Sequence, residues 1–261
     1  MLKHVVITGA ANGLGWALAQ QYWQQGYHLH LLDINQEKLA TRKTQLQERI
    51  STYAVDLLND QQLMAFCQDL IRQKIVISRL INNAGITHRS KASLTDFEVF
   101  DRVMKLNWRV PVHLTRHLLP LLEQYNSKII CIGSMAALMP VPGRAAYCAS
   151  KSALVQHFET WRPELLKENI DLLMVFPSFV QTNIEQNAVG EKGGIASHPQ
   201  SRIGNVMSAE HMAKAIVEAD SRKQQRLYSP QIISRIGFWL WVLLPKLFQR
   251  MTWRQFAGEI N

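Results

Sequence analysis

The chain has 261 residues, of which 47% are hydrophobic, and this length and composition fit one large α/β domain with an extensive core. Its three cysteines are too few and too scattered for a disulfide framework or a zinc site, and no metal site is expected. The formal net charge is +9, but the basic residues follow no recognisable nucleic-acid-binding module, so nucleic acid is not an expected partner.

A glycine-rich turn follows the first predicted strand. Residues 3–8 form a short apolar run that leads into Gly9, Gly13 and Gly15 and then into a helical pattern. A helix start after such a turn presents free N–H groups and the positive end of the helix dipole, which suit a diphosphate. The spacing Gly-x-x-x-Gly-x-Gly differs from the Gly-x-Gly-x-x-Gly of the commonest dinucleotide-binding motif. Because the strand begins at Lys3, it leaves no room for a signal peptide, and we expect a cytoplasmic protein.

The second predicted strand, residues 27–33, ends in Asp33. A carboxylate at this place can accept hydrogen bonds from the adenosine ribose and would repel a 2′-phosphate, so it favours NAD over NADP. No lysine or arginine stands at positions 12, 34 or 35 to bind such a phosphate. An alternative role for Asp33 is to cap the helix predicted at residues 36–49.

Two further predicted strands also end in polar residues. A strand at residues 52–55 is followed by Asp56, and residues 80–81 lead into the sequence Asn-Asn-Ala-Gly at 82–85. The small residues of that sequence let the backbone pass close to a cofactor, and the Asn amides can tie neighbouring strands together. A helix is predicted between them at residues 60–74.

A long helix predicted at residues 96–122 contains Asn107 in its middle. Asparagine is a poor mid-helix residue because its amide competes for backbone partners, so its presence there indicates a specific role. His113 and His117 lie four residues apart on the same helix and could share a metal. No acidic third ligand is patterned beside them, so we interpret them as surface or interface histidines.

The strongest functional signal lies between residues 134 and 151. Residues 129–132 form a buried strand, and Ser134 follows it, where catalytic groups of open α/β sheets lie. Tyr147 and Lys151 are four residues apart, so on a helix they share one face with their Cβ atoms about 6 Å apart. A free phenol has a pKa of about 10, and a neighbouring ammonium favours the phenolate, which suits Tyr147 as a general acid or base. Pro163 is expected to bend or restart this helix.

The sixth predicted strand, residues 170–176, leads through Pro177 into a polar region. Residues 187–205 carry four glycines, which predicts a mobile substrate lid. Ser208 then caps the next helix.

The C-terminal segment is basic and rich in tryptophan. Between Ser221 and Arg254 there are seven basic residues and no acidic one. Residues 236–244 form an apolar run too short to span a bilayer, which takes about 20 residues. Together with the basic residues of 235–254, the run fits a helix lying in the membrane interface, on the cytoplasmic face. The alternative is a subunit-interface or substrate-pocket lid. The chain therefore divides into a catalytic part, residues 1–230, and this segment, residues 231–261.

Together, these motifs resemble the short-chain dehydrogenase/reductase family in its form of roughly 250 residues. The motifs are Thr8-Gly9-x-x-x-Gly13-x-Gly15, Asn-Asn-Ala-Gly at 82–85, Asn107, Ser134 and Tyr147-x-x-x-Lys151. The resemblance implies a single Rossmann-type α/β domain, a doubly wound parallel sheet with helices on both faces. It also implies hydride transfer between a nicotinamide cofactor and an alcohol or carbonyl, and we expect a homodimer or homotetramer.

The resemblance assigns roles to individual residues. Tyr147 is implied as the general acid/base, Ser134 steadies the oxyanion, and Lys151 binds the nicotinamide ribose. Asn107 is implied to hold a water that links Lys151 to solvent. The cofactor-binding residues implied are Thr8, Gly9, Asn12, Gly13, Leu14, Gly15, Asp33, Asp56, Leu57, Asn83, Ala84, Gly85, Tyr147, Lys151, Pro177, Val180 and Thr182. The chain departs from the family at Ser178, where relatives usually have glycine, so the turn beside the nicotinamide is expected to differ.

The expected substrate is a lipophilic alcohol or ketone, such as a steroid, a retinoid or a long-chain acyl compound, because an apolar lid and an interfacial tail would suit it. One alternative is a 3-oxoacyl carrier-protein reductase that uses NADPH, with the basic surface attracting an acidic carrier. Asp33 weighs against it. Another is a non-catalytic NAD-binding sensor, against which the intact catalytic set weighs.

Overall fold

The computed structural model describes residues 3–123, 126–182, 184, 186–196 and 206–259. The strands within these residues are His4–Thr8 (β1), His28–Asp33 (β2), Ile50–Ala54 (β3), Ile77–Asn82 (β4), Ser127–Ile132 (β5), Ile170–Phe176 (β6), Val180–Gln181 (β7), Met207–Ser208 (β8) and Arg226–Tyr228 (β9). Seven of them form one parallel sheet in the order β3-β2-β1-β4-β5-β6-β9, and β7 pairs with β8 outside it.

Helices cover both faces of this sheet. The α-helices within the described residues are Gly13–Gln24 (α1), Gln36–Leu46 (α2), Asp60–Arg72 (α3), Phe97–Met104 (α4), Val110–Leu122 (α5), Ala145–Lys167 (α6), Ala209–Ser221 (α7), Ile232–Leu243 (α8) and Pro245–Phe256 (α9). Successive strand residues point to opposite faces, so Val5 joins the core beneath α1 and α7, whereas Val6 joins the core beneath α3, α5 and α6. The predicted fold, a single doubly wound Rossmann-type sheet, is confirmed.

The strand order reverses at the centre of the sheet. Strand β1 pairs with β2 on one side and with β4 on the other. The segment that follows β2 crosses one face of the sheet, and the segment that follows β4 crosses the other face. Such a reversal opens a crevice above the carboxyl ends of the strands, which is where ligands bind in open α/β sheets.

The long helix predicted at residues 96–122 is interrupted. It consists of α4, a π-helical turn at Lys105–Arg109 and α5. The π-helical turn contains Asn107, whose side-chain amide makes hydrogen bonds to residues outside this helix. Single π turns inside α-helices are frequent at functional sites. This turn depends on hydrogen-bond partners of the Asn107 side chain that sequence periodicity does not reveal.

Two other predicted boundaries differ from the structure. Helix α2 ends at Leu46 instead of residue 49, because Gln47 and Arg49 adopt positive φ angles of 62° and 56°. Helix α6 contains Pro163 and runs without a break to Lys167, so the helix does not restart there.

A buried ion network joins the amino ends of the central strands to α1 and α7. The Asp220 carboxylate accepts a hydrogen bond from the Tyr22 hydroxyl (2.9 Å) and lies 2.7 Å from Arg79 Nε and 3.1 Å from Lys128 Nζ. The Asp220 carboxylate thus links α1, α7, β4 and β5 at the amino ends of the strands, whereas the crevice lies at their carboxyl ends.

The C-terminal segment forms a helical pair. Helices α8 and α9 pack against each other, with the Trp241 and Phe248 rings 5.7 Å apart. No helix in the described part of the chain has the length and apolarity needed to cross a bilayer.

Candidate active site

One large cavity lies above the carboxyl ends of β1, β4, β5 and β6. Its volume is about 780 Å³. The structure brings most of the residues predicted for the site to its wall, namely Gly9, Asn12, Gly13, Leu14, Gly15, Asp33, Asp56, Leu57, Asn83, Ala84, Gly85, Ser134, Tyr147, Lys151, Pro177, Val180 and Thr182. Thr8 and Asn107, also predicted, are buried beside it and hold the wall in place.

The glycine turn between β1 and α1 has room for no side chain at its critical positions. Gly9 and Gly13 have φ angles of +64° and +54°, a conformation that favours glycine. A Cβ atom on Gly15 would overlap the Gly9 carbonyl oxygen, and one on Gly13 would lie 3.2 Å from the Thr182 side chain. The N-cap residue Asn12 makes no side-chain cap, so the first amides of α1 face the cavity as an anion-binding cradle.

Thr8 and Asn83 fix this turn to the end of β4. The Thr8 hydroxyl accepts hydrogen bonds from the backbone amides of Asn83 and Ala84, both at 3.0 Å. The Asn83 side-chain amide donates to the carbonyl oxygens of Thr8 (2.9 Å) and Gly9 (3.1 Å). These two side chains therefore shape the cavity wall.

Asp33 lies at the carboxyl end of β2 and does not cap α2. Its carboxylate accepts hydrogen bonds from the backbone amides of Ala11 and Asn35, both at 3.0 Å. The cap of α2 is Asn35, which accepts from the Lys38 amide at 2.9 Å. This geometry excludes the capping role, and Asp33 lines the cavity, while its role toward a ligand stays a prediction.

Arg42 is a residue near this end of the cavity that the sequence reasoning missed. Its Nε donates to the Ala11 carbonyl oxygen (3.0 Å), and its guanidinium lies 4.5 Å from the centroid of the Trp16 ring. Arg42 thus places a cation beside the glycine turn, to which Asp33 is also hydrogen-bonded through the Ala11 amide. The signal that could have revealed it is its position on α2, three residues after the inward-facing Leu39.

Asn107 fastens the loop after β4 to helix α6. Its side-chain oxygen accepts from the Ile86 amide at 2.9 Å, and its side-chain nitrogen donates to the Ile86 carbonyl (2.8 Å) and the Ser150 hydroxyl (2.9 Å). The residue is 0% exposed. A Cβ atom on Gly85 would lie 3.0 Å from the Asn107 oxygen and 3.4 Å from Lys151 Nζ, so a larger residue there would press on both side chains.

Tyr147 and Lys151 lie one turn apart on α6 and both face the cavity. Lys151 Nζ is 6.0 Å from the centroid of the Tyr147 ring and donates to the Ile132 carbonyl oxygen at 2.8 Å. Burial lowers the pKa of Lys151 to about 8. The ammonium is therefore held rigidly, in a setting of low polarity, beside the phenol.

Ser134 occupies the end of β5 opposite this pair. Its hydroxyl oxygen accepts from the Ala136 amide at 3.1 Å, which fixes the side chain at the start of a short 3₁₀ turn, Met135–Ala137. The hydroxyl thus lines the same cavity wall as Tyr147.

The loop after β6 forms the cavity wall next to the glycine turn, where a Cβ atom on Gly13 would meet Thr182. Strand β7, which includes Val180, is held by β8. Ser178, where the chain departs from the family pattern, accepts a hydrogen bond from the Ser234 hydroxyl of α8 at 2.8 Å. The C-terminal segment is thus attached to the cavity wall, a contact between residues too far apart in the chain for sequence patterns to show.

The predicted lid is anchored over its first half. Val189 exchanges backbone hydrogen bonds with Thr87 and Arg89, both at 2.9 Å, and the Asp96 amide donates to the Glu191 carbonyl at 2.9 Å. Residues 197–205 of the predicted lid lie outside the described residues.

No thiol or imidazole in the described part of the chain lines the cavity. Burial raises the pKa of Cys131 to about 12 and also raises that of Cys148. His113 and His117 face each other with ring centroids 6.2 Å apart. Within the described ranges, no three His, Cys, Asp or Glu side chains are grouped so that they could hold a metal.

Comparison with known proteins agrees with this geometry. Residues 3–193 match the family model described as short chain dehydrogenase. The mouse protein "Dehydrogenase/reductase SDR family member 7B" is 29% identical over 257 residues, which cover 95% of this chain and 79% of that protein.

Two solved structures share the fold. A short chain dehydrogenase/reductase from Burkholderia phymatum in complex with NAD has a TM-score of 0.81 at 22% identity and covers 94% of this chain and 95% of its own. A short-chain dehydrogenase from Sphingobium yanoikuyae in complex with NADPH has a TM-score of 0.78 at 23% identity and covers 96% and 95%. The chain therefore belongs to the short chain dehydrogenase family of oxidoreductases.

Proposed function

We propose that the protein is an oxidoreductase that interconverts an alcohol and a carbonyl with NAD or NADP, and that Tyr147 is its general acid/base. The observation that carries the proposal is the placement of Tyr147, Lys151 and Ser134 in one cavity with the glycine turn. A phenol beside a buried ammonium has the electrostatics of a proton-transfer group, and the turn has the shape of a diphosphate cradle.

The dinucleotide fits the residues present. Gly9, Gly13 and Gly15 leave the space that a diphosphate needs, and Asp33 points its carboxylate to the same cavity. When bound, the nicotinamide supplies or accepts the hydride. Pro177, Val180 and Thr182 form the wall that would orient the ring.

The protein groups divide the remaining work. Tyr147 removes the proton from an alcohol or returns it to a carbonyl, and Ser134 donates a hydrogen bond to the same substrate oxygen as charge develops. Lys151 stabilises the phenolate by its charge and holds the nicotinamide ribose. A hydrogen bond to the Ile132 carbonyl oxygen holds the Lys151 ammonium in place. Asn107 keeps the loop after β4 and helix α6 in register, so that these groups stay aligned.

NAD is the proposed cofactor. The Asp33 carboxylate lines the cavity at the adenosine end and would repel a 2′-phosphate. The Ala11 and Asn35 amides hold it in place without neutralising its charge.

A lipophilic substrate is proposed because the remainder of the wall is largely apolar. The apolar lining residues of this cavity include Ile86, Leu106, Met135, Met139, Val141, Phe179, Ile184 and Val206. Such a surface gains free energy by covering apolar parts of a steroid, a retinoid or a long acyl chain.

Replacement of the phenol tests the mechanism. Tyr147→Phe removes only the hydroxyl, so turnover of a carbonyl panel should fall by about 10²–10⁴-fold while NADH binding, followed by fluorescence titration, stays unchanged. Turnover within threefold of the wild type would contradict the assignment.

The second candidate is an NADPH-dependent 3-oxoacyl carrier-protein reductase. The position of Arg42 beside Ala11 favours it, because a guanidinium there could reach a 2′-phosphate. Parallel titrations with NADH and NADPH test the cofactor of this candidate: strong preference for NADPH, lost in Arg42→Gln, would overturn NAD as the proposed cofactor and favour the second candidate.

A further inference from the structure

Helix α8 carries an apolar stripe on its outer side. Ile232, Ile236, Trp239 and Leu243 follow the spacing of one helix face and are 73%, 60%, 58% and 69% exposed. Apolar side chains of this size rarely form a contiguous exposed patch on a soluble monomer unless the patch binds something.

The stripe is exposed although α8 is attached to the protein on its other side. Ser234 is buried and bonded to Ser178, a Cβ atom on Gly237 would lie 3.5 Å from the Met139 sulfur, and Phe238 packs against the main core. These contacts place the stripe on the outer surface of the protein.

Helix α9 adds positive charge to the same segment. Lys246, Arg250 and Arg254 recur every four residues on one side of the helix and are exposed, as are Leu247, Met251 and Trp253. Arg235 adds a fourth cation on α8, and neither helix contains an acidic residue. We call these outward side chains of α8 and α9 the C-terminal face.

We propose that the C-terminal face docks on an anionic lipid surface and thereby places the mouth of the substrate cavity at that surface. Exposed aliphatic and tryptophan side chains enter the acyl boundary, while lysine and arginine groups bind the phosphate groups. A second copy of this chain fits less well, because an isologous contact would bring together two copies of one patch that carries four cations and no acidic residue.

Three contacts connect the C-terminal face to the substrate cavity. Ser234 bonds to Ser178, and Gly237 is near enough to Met139 that an added Cβ atom would lie 3.5 Å from its sulfur; Ser178 and Met139 both line the cavity. The guanidinium of Arg144, a third lining residue, lies 5.6 Å from the centroid of the Phe256 ring on α9. Docking would thus shorten the path of a lipophilic substrate from the membrane to Tyr147, a consequence that rests on the proposed function.

Vesicle sedimentation tests the docking. The full-length protein is mixed with vesicles of phosphatidylcholine alone or of equal parts phosphatidylcholine and phosphatidylglycerol, at low and high salt. We expect binding to the anionic vesicles, weakened by salt. The triple variant K246Q/R250Q/R254Q should bind about a hundredfold more weakly, because each cation near an anionic surface contributes about 1 kcal/mol. The matched control K43Q/K167Q/K214Q removes three exposed lysines elsewhere and should bind as the wild type does.

The apolar stripe is tested separately. I236Q/W239Q/L243Q should weaken binding at least about tenfold, whereas L94Q/F97Q, which alters exposed apolar residues far along the chain, should not. Absence of wild-type binding to anionic vesicles, or equal losses in test and control variants, would overturn the proposal. A lipid-free oligomer that the stripe variant dissociates, without vesicle binding, would assign the face to a second copy instead.

Turnover of a water-soluble ketone without vesicles keeps this proposal apart from the proposed function. Intact turnover with no vesicle binding would reject the docking alone. Vesicle binding with no turnover of any substrate would reject the oxidoreductase function and leave the docking in place.

Discussion

The crevice above β1, β4 and β5 and the outer side of α8 treat side chains in opposite ways. In the crevice, Gly15 is required because a Cβ atom would overlap the Gly9 carbonyl oxygen, and polar side chains such as Asn107 are fully engaged inside the fold. On α8, large apolar side chains are mostly exposed. Contacts within the fold restrict which residues the crevice can carry. The outer side of α8 is instead open to a binding partner of the protein.

The largest effect is expected in the glycine turn. Gly15→Ala would bring a methyl group onto the Gly9 carbonyl oxygen, and the resulting shift should cost about 3 kcal/mol or more of folding free energy and abolish NADH binding. Urea unfolding and fluorescence titration measure the two effects. Gly194→Ala is the control, because a Cβ atom there meets nothing within 4 Å. Equal behaviour of the two variants would break the contrast.

The next effect is expected at the π-helical turn. Asn107→Leu leaves the Ile86 amide and carbonyl and the Ser150 hydroxyl without this partner, and should lower the free energy of unfolding by about 2–3 kcal/mol. The exposed Asn187→Leu should change it little. A stability of Asn107→Leu equal to the wild type in urea unfolding would show that the turn does not depend on this amide.

A third prediction concerns the sensitivity of the sheet to acid. His30 on β2 bonds to His4 and Tyr53, and burial lowers its pKa from 6.5 to about 3. Between pH 6.5 and pH 3, His30 binds a proton in the unfolded chain but not in the folded chain. The free energy of unfolding is therefore not reduced by this group above pH 6.5, and it declines as the pH falls toward 3.

The size of this effect follows from the shift. Between pH 7 and pH 5, the wild type should lose about 2 kcal/mol more folding free energy than His30→Phe, which cannot titrate. Urea unfolding at the two pH values measures the difference, with the exposed His211→Gln as control. Parallel losses in wild type and His30→Phe would contradict the prediction.

The smallest effect is expected on α8. Trp239→Gln should change the free energy of unfolding by less than about 0.5 kcal/mol, because the ring is mostly exposed and the helix is held by its opposite side. A loss comparable with that of Asn107→Leu would show that the outer stripe serves the fold, and would remove the contrast between the two regions.

Local spacing explains what the sequence could predict. Tyr147 and Lys151 share a helix face because they are four residues apart, and Asp33 ends a strand, so both positions follow from periodicity alone. The fold class follows from the resemblance of the motifs to the short-chain dehydrogenase/reductase family.

The remaining features depend on contacts between distant residues. The hydroxyl pair Ser178 and Ser234 joins positions 56 residues apart, and Arg42 reaches Ala11 across 31. The π-helical turn likewise depends on Ile86, 21 residues before Asn107. Such partners become visible only when the chain is folded.

Residues 187–191 are attached to the loop after β4 by backbone hydrogen bonds and by the buried side chains of Ala188 and Val189. Main-chain pairing does not specify which side chains stand at the exposed positions of the segment. Substitutions at an exposed position such as Asn187 can therefore alter the rim of the binding pocket while the path of the segment stays the same, which gives the enzyme a route to new substrate preferences that leaves its chemistry untouched.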